Sequence, residues 1–243
     1  MKKQLILTLS LLIMAVFAFG QEEYTYHVWE TTYIIPKKGH GQDLGKALLE
    51  HRKMFHPEGT HNATIHAISV GKMQGAYSWM IGPMKFADVD TKPKGENYES
   101  WMEHGDKFVK KYGNTEYWVS ADKLSYWPEN PEPSAMIHCI YWDVKQGKQQ
   151  ELDKLLAKAV KVFKENKYKN SWGIYKAAFN TGSGRDVCAV MTFDNWAYFD
   201  SDLGFVKDYE TMYGEGTFAE FMDSFYSLIE SGTDEIRKVV MDY

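Results

Sequence analysis

The fold of this chain is decided by Ser134 to Phe163, which reads SAMIHCIYWDVKQGKQQELDKLLAKAVKVF. The stretch opens with an apolar run typical of a strand, turns at Gly147 and ends in a helical stripe of apolar residues. The first half of the chain has the same order from His27 to Phe55, HVWETTYIIPKKGHGQDLGKALLEHRKMF. The second half of the protein therefore begins as a copy of the first.

Matching residues recur along the two halves at nearly constant spacing. Tyr141 stands 108 positions after Tyr33, and the same spacing relates Gly147 to Gly39, Leu152 to Leu44, Leu156 to Leu48 and Phe163 to Phe55. Farther along, Trp196 to Asp200 follows Phe86 to Asp90 by 110 positions, and the apolar stripe from Phe218 to Ile229 follows that from Tyr98 to Val109 by 120. Because strand, turn, helix and final helix match in one order, the sequence predicts a tandem repeat.

Hydrophobic periodicity gives each half the order β-α-β-β-α-β. The predicted strands of the first half are Tyr24–Ile35, Thr64–Val70, Ala76–Ile81 and Leu124–Trp127, and the predicted helices are Leu44–Phe55 and Tyr98–Tyr112. The second half closes with a predicted strand at Ile236–Met241 and carries about ten extra residues within Ser201–Gly216, which predict an added short helix. The glycines of Thr181 to Arg185, TGSGR, predict a hairpin turn.

The order β-α-β-β-α-β is the ferredoxin-like arrangement, in which helices cover one face of a four-stranded sheet. Two such units can bury their free faces against each other. We therefore predict an α+β protein of two tandem ferredoxin-like repeats packed as an intrachain dimeric α/β barrel. The predicted divisions are a signal peptide at 1–20, a first repeat at 21–127, the stiff linker PENPEP at 128–133 and a second repeat at 134–243.

At the level of this pattern the chain resembles the dimeric α/β-barrel superfamily, which includes antibiotic-biosynthesis-monooxygenase-like, NIPSNAP-like and stress-responsive barrel proteins. The resemblance implies a cavity for a small hydrophobic or aromatic ligand; some members bind or degrade haem, and others carry out cofactor-free oxygenations or isomerisations. The haem-degrading members use an Asn, Trp and His constellation, and neither repeat has an Asn in its first strand. A shared fold does not fix function, so the cofactor is left unknown.

The start of the chain predicts export. Lys2 and Lys3 precede an apolar run from Leu5 to Phe17, and small residues stand before a cleavage site at Gly20–Gln21. The formal net charge is −5, and an acidic chain without a basic run predicts no nucleic-acid or anionic-membrane partner. We expect a soluble exported protein, periplasmic or secreted, with no membrane segment after removal of the signal. Cys139 and Cys188 could be free thiols or a disulfide.

Two polar residues in the first strands of the repeats are candidate catalytic groups. Strand alternation places Glu30 and His138 at equivalent positions. If the repeats face each other, both side chains could point into one shared interior, where a carboxylate and an imidazole are suited to acid–base chemistry. Two satisfied interior polar groups, or a face turned to solvent, would also explain them.

The candidate ligand-binding residues are His66, Trp79, Trp142 and Trp172. His66 alternates with apolar residues on a strand and could join Glu30 in a cavity, while strand-spaced tryptophans form either pocket walls or ordinary core. The His56, Glu58 and His61 cluster matches no strong metal signature, and we predict no metal site.

The sequence leads to three hypotheses of function. The first is binding of a small, largely apolar or aromatic ligand in or between the repeats. The second is a cofactor-poor monooxygenase- or isomerase-like enzyme that uses Glu30 and His138. The third is a protein-interaction module in which the inserted segment contacts a partner. Whether the protein is an enzyme, and its oligomeric state, are left open.

Overall fold

The structure is a computed structural model that describes residues 26–130 and 134–241, so the predicted signal peptide and residues 131–133 of the predicted linker lie outside the described residues. The first repeat contains β1 (Val28–Pro36), α1 (Gly41–Phe55), β2 (Ala63–Val70), β3 (Tyr77–Met84), α2 (Phe86–Val89), α3 (Glu96–His104) and β4 (Val109–Ser120). The second contains β5 (Met136–Val144), α4 (Gln149–Asn166), β6 (Gly173–Ala177), β7 (Val187–Phe193), α5 (Phe205–Tyr213), α6 (Thr217–Leu228) and β8 (Ile229–Val239).

The eight strands form one closed antiparallel barrel in the order β1-β3-β2-β8-β5-β7-β6-β4. Each repeat contributes four neighbouring strands in the ferredoxin-like order, β4-β1-β3-β2 and β8-β5-β7-β6. The two sheets join where β2 pairs with β8 and where β4 pairs with β6. The predicted fold class, two ferredoxin-like repeats in an intrachain dimeric α/β barrel, is confirmed.

The strand–turn–helix unit that starts each repeat forms for the same reasons in both copies. The turn glycines Gly39 and Gly147 have φ of 85° and 79°, a left-handed conformation that glycine adopts without strain. The helices that follow bury matching apolar stripes against the sheet: Leu44, Leu48 and Leu49 on α1, and Leu152, Leu156, Val160 and Phe163 on α4. The same spacing of apolar residues thus directs the same packing twice.

The closing strands begin earlier than the sequence predicts. The helix predicted to reach Tyr112 ends at His104, and β4 follows at once from Val109. Residues 124–127, predicted as the closing strand, contain only a single bridge from Tyr126 to Trp172. The reason is long-range pairing: β4 hydrogen-bonds along the whole of β1, from Val119 opposite Val28 to Val109 opposite Pro36, and this ladder outweighs local helical periodicity.

The added segment of the second repeat forms a short helix, as predicted. This helix, α5, buries Tyr209 against α4 and α6. Phe205, Met212 and Tyr213 pack in the same cluster, whereas Val206 is 47% exposed. The hypothesis that the segment contacts a partner stays a prediction. No helix within the described residues is both long and apolar enough to span a membrane.

Strand alternation gives the barrel an inner face, enclosed by both sheets, and an outer face covered by helices. The inner face contains a buried cluster of charged residues and tyrosines. Arg237 donates from Nη2 to the hydroxyls of Tyr33 at 2.8 Å and Tyr141 at 2.5 Å, and to Glu235 Oε2 at 2.8 Å. Arg185 reaches the same cluster, with Nη2 2.6 Å from Glu235 Oε1. Two guanidinium groups therefore share one fully buried carboxylate.

The cluster follows the repeat symmetry in part. Tyr33 and Tyr141 occupy equivalent places on β1 and β5, and Glu116 and Glu235 occupy equivalent places on β4 and β8, opposite Thr31 and Cys139 respectively. Burial raises the pKa of Tyr33 to about 12 and raises the pKa of Glu116. The tyrosines are thus neutral hydrogen-bonding partners for the arginines.

Glu235 gives the first test of this interior. Glu235→Gln leaves two buried guanidinium groups without their shared counter-charge, and loss of one partner of a buried ion pair typically costs about 3–5 kcal/mol. We expect the free energy of unfolding in urea to fall by about that amount. Asp234→Asn is the matched control, because Asp234 is the preceding residue of β8 and its side chain is 57% exposed; it should cost about 1 kcal/mol or less. Equal effects of the two substitutions would contradict the structural role of the cluster.

Candidate functional site

The first repeat contains a cavity of about 290 Å³ between the outer face of its sheet and the helices α1 and α3. The sheet contributes Trp79 and Ile81 from β3, and the helices contribute aromatic side chains that close the opposite side. The residues that line the cavity are Glu30, Thr32, Ile34, Leu48, His51, His56, Trp79, Ile81, Lys92, Pro93, Asn97, Tyr98, Trp101 and Tyr112. An apolar, aromatic cavity with a few convergent polar groups is typical of a small-molecule site.

One wall of this cavity is built on two histidines and an asparagine. His56 Nδ1 lies 2.9 Å from the carbonyl oxygen of His61, and its Nε2 lies 2.8 Å from Asn97 Nδ2. A carbonyl oxygen only accepts, so His56 carries its proton on Nδ1 and its Nε2 accepts from the Asn97 amide. Both nitrogens are therefore used, and His56 serves to position Asn97.

His51 lies next to this pair and faces the cavity. Its ring centroid is 5.2 Å from that of Trp101 and 5.8 Å from those of Trp79 and His56. Burial lowers the pKa of His51 to about 4, with a further lowering from His56. His51 is therefore a neutral imidazole at physiological pH, able to accept or donate a hydrogen bond inside an aromatic enclosure.

The cavity also contains an ion pair. Glu30 on β1 is paired with Lys92, which comes from the loop between α2 and α3. Burial, then a hydrogen bond to Glu30, raises the pKa of Tyr117, and the Lys92 ammonium lies 5.8 Å from the centre of the Tyr117 ring. The cavity thus offers a carboxylate, an ammonium and a neutral imidazole.

The second repeat has a cavity of about 270 Å³ at the corresponding place, and its walls are apolar and aromatic. The sheet side is formed by Trp142, Trp172 and Met191, and the helices α4, α5 and α6 form the rest. The helix side chains are Leu156, Ala159, Phe163, Phe205, Phe218, Phe221, Met222 and Phe225, with Leu203 at the start of α5. This cavity suits an apolar ligand and has no acid–base group.

The barrel interior leaves a third and much smaller space, of about 90 Å³. Cys139 and Cys188 border it as buried free thiols, one strand apart. A hydrogen bond from Cys188 lowers the pKa of Cys139 to about 7. Because the tyrosines and arginines fill most of the barrel, this space holds at most a few small groups.

Comparison with known proteins identifies the fold. No protein-family model matches the chain, and no curated protein matches its sequence. Among solved structures, a monooxygenase candidate from Lactobacillus acidophilus superposes with a TM-score of 0.55 at 7% identity, over 89% of this chain and 95% of the other. One from Fusobacterium nucleatum gives 0.56 at 9% identity, over 90% and 94%. An anthrone oxidase-like protein gives 0.52 at 13% identity, over 88% and 92%.

The chain has the dimeric α/β-barrel fold. At such low identity the likeness is one of fold, and the chemistry of this dimeric α/β barrel has to be inferred from its own residues.

The barrel does not bring the predicted catalytic pair together. Glu30 and His138 lie on the helix-covered outer faces of separate repeats, so the expected shared interior is wrong. His138 Nε2 is 2.7 Å from Asp234 Oδ1, and its ring packs edge-on against Phe199. The reason is that both faces of each first strand are buried, so alternation alone cannot tell which face points into the barrel. The inner positions belong to Tyr33, Tyr141 and their neighbours.

The predicted ligand-binding residues fall in three places. Trp79 lines the first cavity with Glu30, whereas Trp142 and Trp172 line the second. His66 does not join Glu30, because its side chain is on the inner face of β2. There its Nδ1 has no hydrogen-bond partner. Any role of these residues in ligand binding stays a prediction.

Several residues of the first cavity gave no clear signal in the sequence. His51 stands on an apolar helical stripe and reads as a packing residue, and Lys92 and Asn97 belong to a polar loop and the helix start after it. The spacing of 108 does, however, align His51 with Ala159 and so points to a place where the repeats differ. His61, considered as a metal ligand, bonds through Nε2 to the carbonyl oxygen of Asp88 at 2.8 Å, so it ties two loops together.

Haem, which some proteins of this fold bind, does not fit the residues present. The second cavity is lined by no histidine, cysteine or tyrosine, and only the thioethers of Met191 and Met222 could approach an iron. In the first cavity both nitrogens of His56 are engaged, and although His51 could reach an iron, a volume near the lower end of the range for small-ligand pockets leaves no room for a macrocycle.

The buried His66 predicts a pH dependence of stability. Burial and the nearby Arg237 lower its pKa to about 3, below the value of about 6.5 in the unfolded chain. As the pH falls, the unfolded state therefore binds this proton before the folded state does. The folded state keeps its full stability, as far as His66 is concerned, above pH 6.5 and loses stability progressively as the pH falls towards 3.

Between pH 7 and pH 5 we expect the free energy of unfolding to drop by about 2 kcal/mol through His66 alone. Urea denaturation at the two pH values checks this against His66→Gln, which should lose that part of the drop while keeping any due to His51 and His56. An unchanged pH dependence in the variant would show that His66 does not resist protonation.

Proposed function

We propose that the protein binds a small, largely apolar aromatic molecule that carries one hydroxyl or carbonyl group, in the cavity of the first repeat. The observation that carries the proposal is the neutral imidazole of His51 within an aromatic enclosure. Trp79 and Trp101 provide flat apolar walls, and His51 and Asn97 provide the hydrogen-bonding groups at one wall. A ligand of this class would bury its rings and still satisfy its polar atom.

The composition of the cavity argues against other ligand classes. Glu30 and Lys92 neutralise each other as an ion pair, so the cavity presents no net charge to attract an ionic ligand. Asn97 already donates to His56 and is hydrogen-bonded to His51, so a fully apolar ligand would leave the second nitrogen of His51 desolvated without a partner, which is unfavourable. A phenol or an aromatic ketone avoids both penalties.

2-Naphthol is a suitable probe for this proposal. We expect saturable binding by titration calorimetry, and His51→Phe should weaken it about five- to tenfold, because the variant keeps the aromatic volume but removes one hydrogen bond worth about 1 kcal/mol. His138→Phe is the matched control, since it removes an imidazole from the equivalent face of the second repeat outside either cavity. Binding that is unaffected by His51→Phe would contradict the site.

A second candidate function is catalysis at the same cavity, of the oxygenase kind named in the descriptions of the structural neighbours. The observation that favours it is the nearly buried carboxylate of Glu30 in the same cavity as His51. In this function Glu30 removes a proton from an electron-rich carbon acid, Lys92 compensates the charge, and the aromatic walls exclude water. The resulting carbanion is the species that reacts with dioxygen.

Anthrone tests the catalytic proposal, because one anthrone and one dioxygen give one anthraquinone and one water. Dioxygen uptake and the absorbance of anthraquinone should rise together above the uncatalysed rate, and Glu30→Gln should lower the rate at least about 100-fold by removing the base. Asp234→Asn, a carboxylate outside the cavity, should leave the rate unchanged. If naphthol binds but anthrone is not turned over, the protein is a binding protein rather than an oxygenase.

We further propose that the protein acts after export. The support is the predicted leader at 1–20, and the test is whether the mature chain recovered from its own host begins at Gln21.

A further inference from the structure

The two outer cavities occupy equivalent places in the two repeats, which allows their walls to be compared position by position. On α1 and α4 the spacing of 108 pairs Leu48 with Leu156 and His51 with Ala159. On α3 and α6 the spacing of 120 pairs Tyr98 with Phe218 and Trp101 with Phe221. The two cavities are thus built by the same elements from different side chains.

At three helix positions the differences have one direction, although Trp142 stands in the second cavity where Ile34 stands in the first. The imidazole of His51 becomes the methyl group of Ala159, the phenol of Tyr98 becomes the ring of Phe218, and the indole of Trp101 becomes the ring of Phe221. His138, the counterpart of Glu30, turns to Asp234 and does not line the second cavity. The polar groups of the first cavity therefore have no counterpart in the second.

The insertion completes this apolar enclosure. Phe205 of α5 lies 5.3 Å from Phe163 and 6.0 Å from Phe218, measured between ring centroids. Both of those residues line the same cavity. The ten additional residues of the second repeat therefore supply part of an apolar wall that the first repeat lacks.

We propose that the second cavity is a separate binding site for a hydrocarbon ligand, or a hydrocarbon moiety, of about two fused rings. An apolar cavity of about 150 Å³ is known to take benzene, and the present cavity is about 270 Å³. The lining offers a ligand hydroxyl one donor, the indole N–H of Trp172, which has no hydrogen-bond partner among the described residues, but no oxygen or nitrogen acceptor. The hydroxyl proton would therefore be buried without a partner, a penalty that corresponds to roughly five- to 150-fold weaker binding. The two cavities thus select ligands of opposite polarity.

Naphthalene and 2-naphthol are the probes of this proposal. The NMR signals of methionine methyl groups show in which cavity each probe binds. Met191 and Met222 line the second cavity, whereas no methionine lines the first. In protein labelled with 13C-methyl methionine, naphthalene should shift the Met191 and Met222 signals saturably below its solubility limit. 2-Naphthol should shift them at least about tenfold more weakly.

Ala159→Leu fills the second cavity and should abolish the naphthalene response. Ala157→Leu is the matched control, because Ala157 lies on the same helix with its side chain exposed; it should leave the response unchanged. The other methionine signals show whether each variant is folded.

Either of two results would overturn the proposal: no naphthalene response at Met191 and Met222 in the wild-type protein, or an equal response to 2-naphthol. Both are read from the wild-type spectrum, so they do not depend on whether Ala159→Leu folds. Failure here would not affect the proposed function, which concerns the first cavity and is tested through His51.

Discussion

The interior of the barrel depends on one constraint, the neutralisation of Arg237. Its guanidinium is 3% exposed and lies on the inner face, where both sheets exclude water. Burying an unpaired charge is prohibitively unfavourable, so Glu235, Tyr33 and Tyr141 must converge on it from three strands. Glu235 lies on the same strand as Arg237, whereas Tyr33 comes from the other repeat. Closure of the barrel therefore completes the hydrogen bonds of this guanidinium.

That constraint also decides where ligands can bind. The space between two facing sheets is the natural place for a cavity in a barrel, but here the arginines, tyrosines and glutamates occupy it and leave about 90 Å³. Two larger cavities with aromatic walls lie between each sheet and its own helices. The packing of the interior thus leaves the outer faces for the proposed ligands, one cavity in each repeat.

The sequence could predict the fold because the fold is repeated. A single ferredoxin-like pattern is weak evidence, but Tyr33 with Tyr141 and Gly39 with Gly147 at one spacing specify a duplicated strand, turn and helix. The candidate site could not be predicted from the sequence, and the reason is different. Whether Glu30 or its neighbour faces the barrel depends on how two sheets meet, and strand alternation carries no information on that choice when both faces are buried.

Arg185 is another residue whose position could not be predicted from the local sequence. It follows the turn glycines of a hairpin, where a charged residue is ordinarily solvated, yet its guanidinium lies 2.6 Å from Glu235 and over the ring of Tyr141. No local pattern distinguishes an arginine that turns inward from one that turns outward. Two buried carboxylates, Glu235 at 2.6 Å and Glu116 at 3.7 Å, explain why a second guanidinium is accepted in the interior.

The two repeats of a duplicated chain can carry different residues at equivalent positions, which the subunits of a symmetric dimer cannot. In this protein they differ both in the barrel interior and in the outer cavities. In a homodimer every inner residue appears twice, so an arginine near the axis would meet its own copy. Here the position of Arg237 in β8 corresponds to Trp118 in β4, as the pairing of Trp29 with Trp118 and of Ile137 with Arg237 shows. The place that a symmetric dimer would fill with a second copy of this arginine is therefore filled by an indole.

The exchange of His51 for Ala159 breaks the symmetry of the outer faces in the same way. Once the interior no longer has to be symmetric, the cavities outside it are free to diverge, because each is built within one repeat by its own helices. A polar cavity and an apolar one can then coexist in one barrel, since neither has to meet the packing demands of the other.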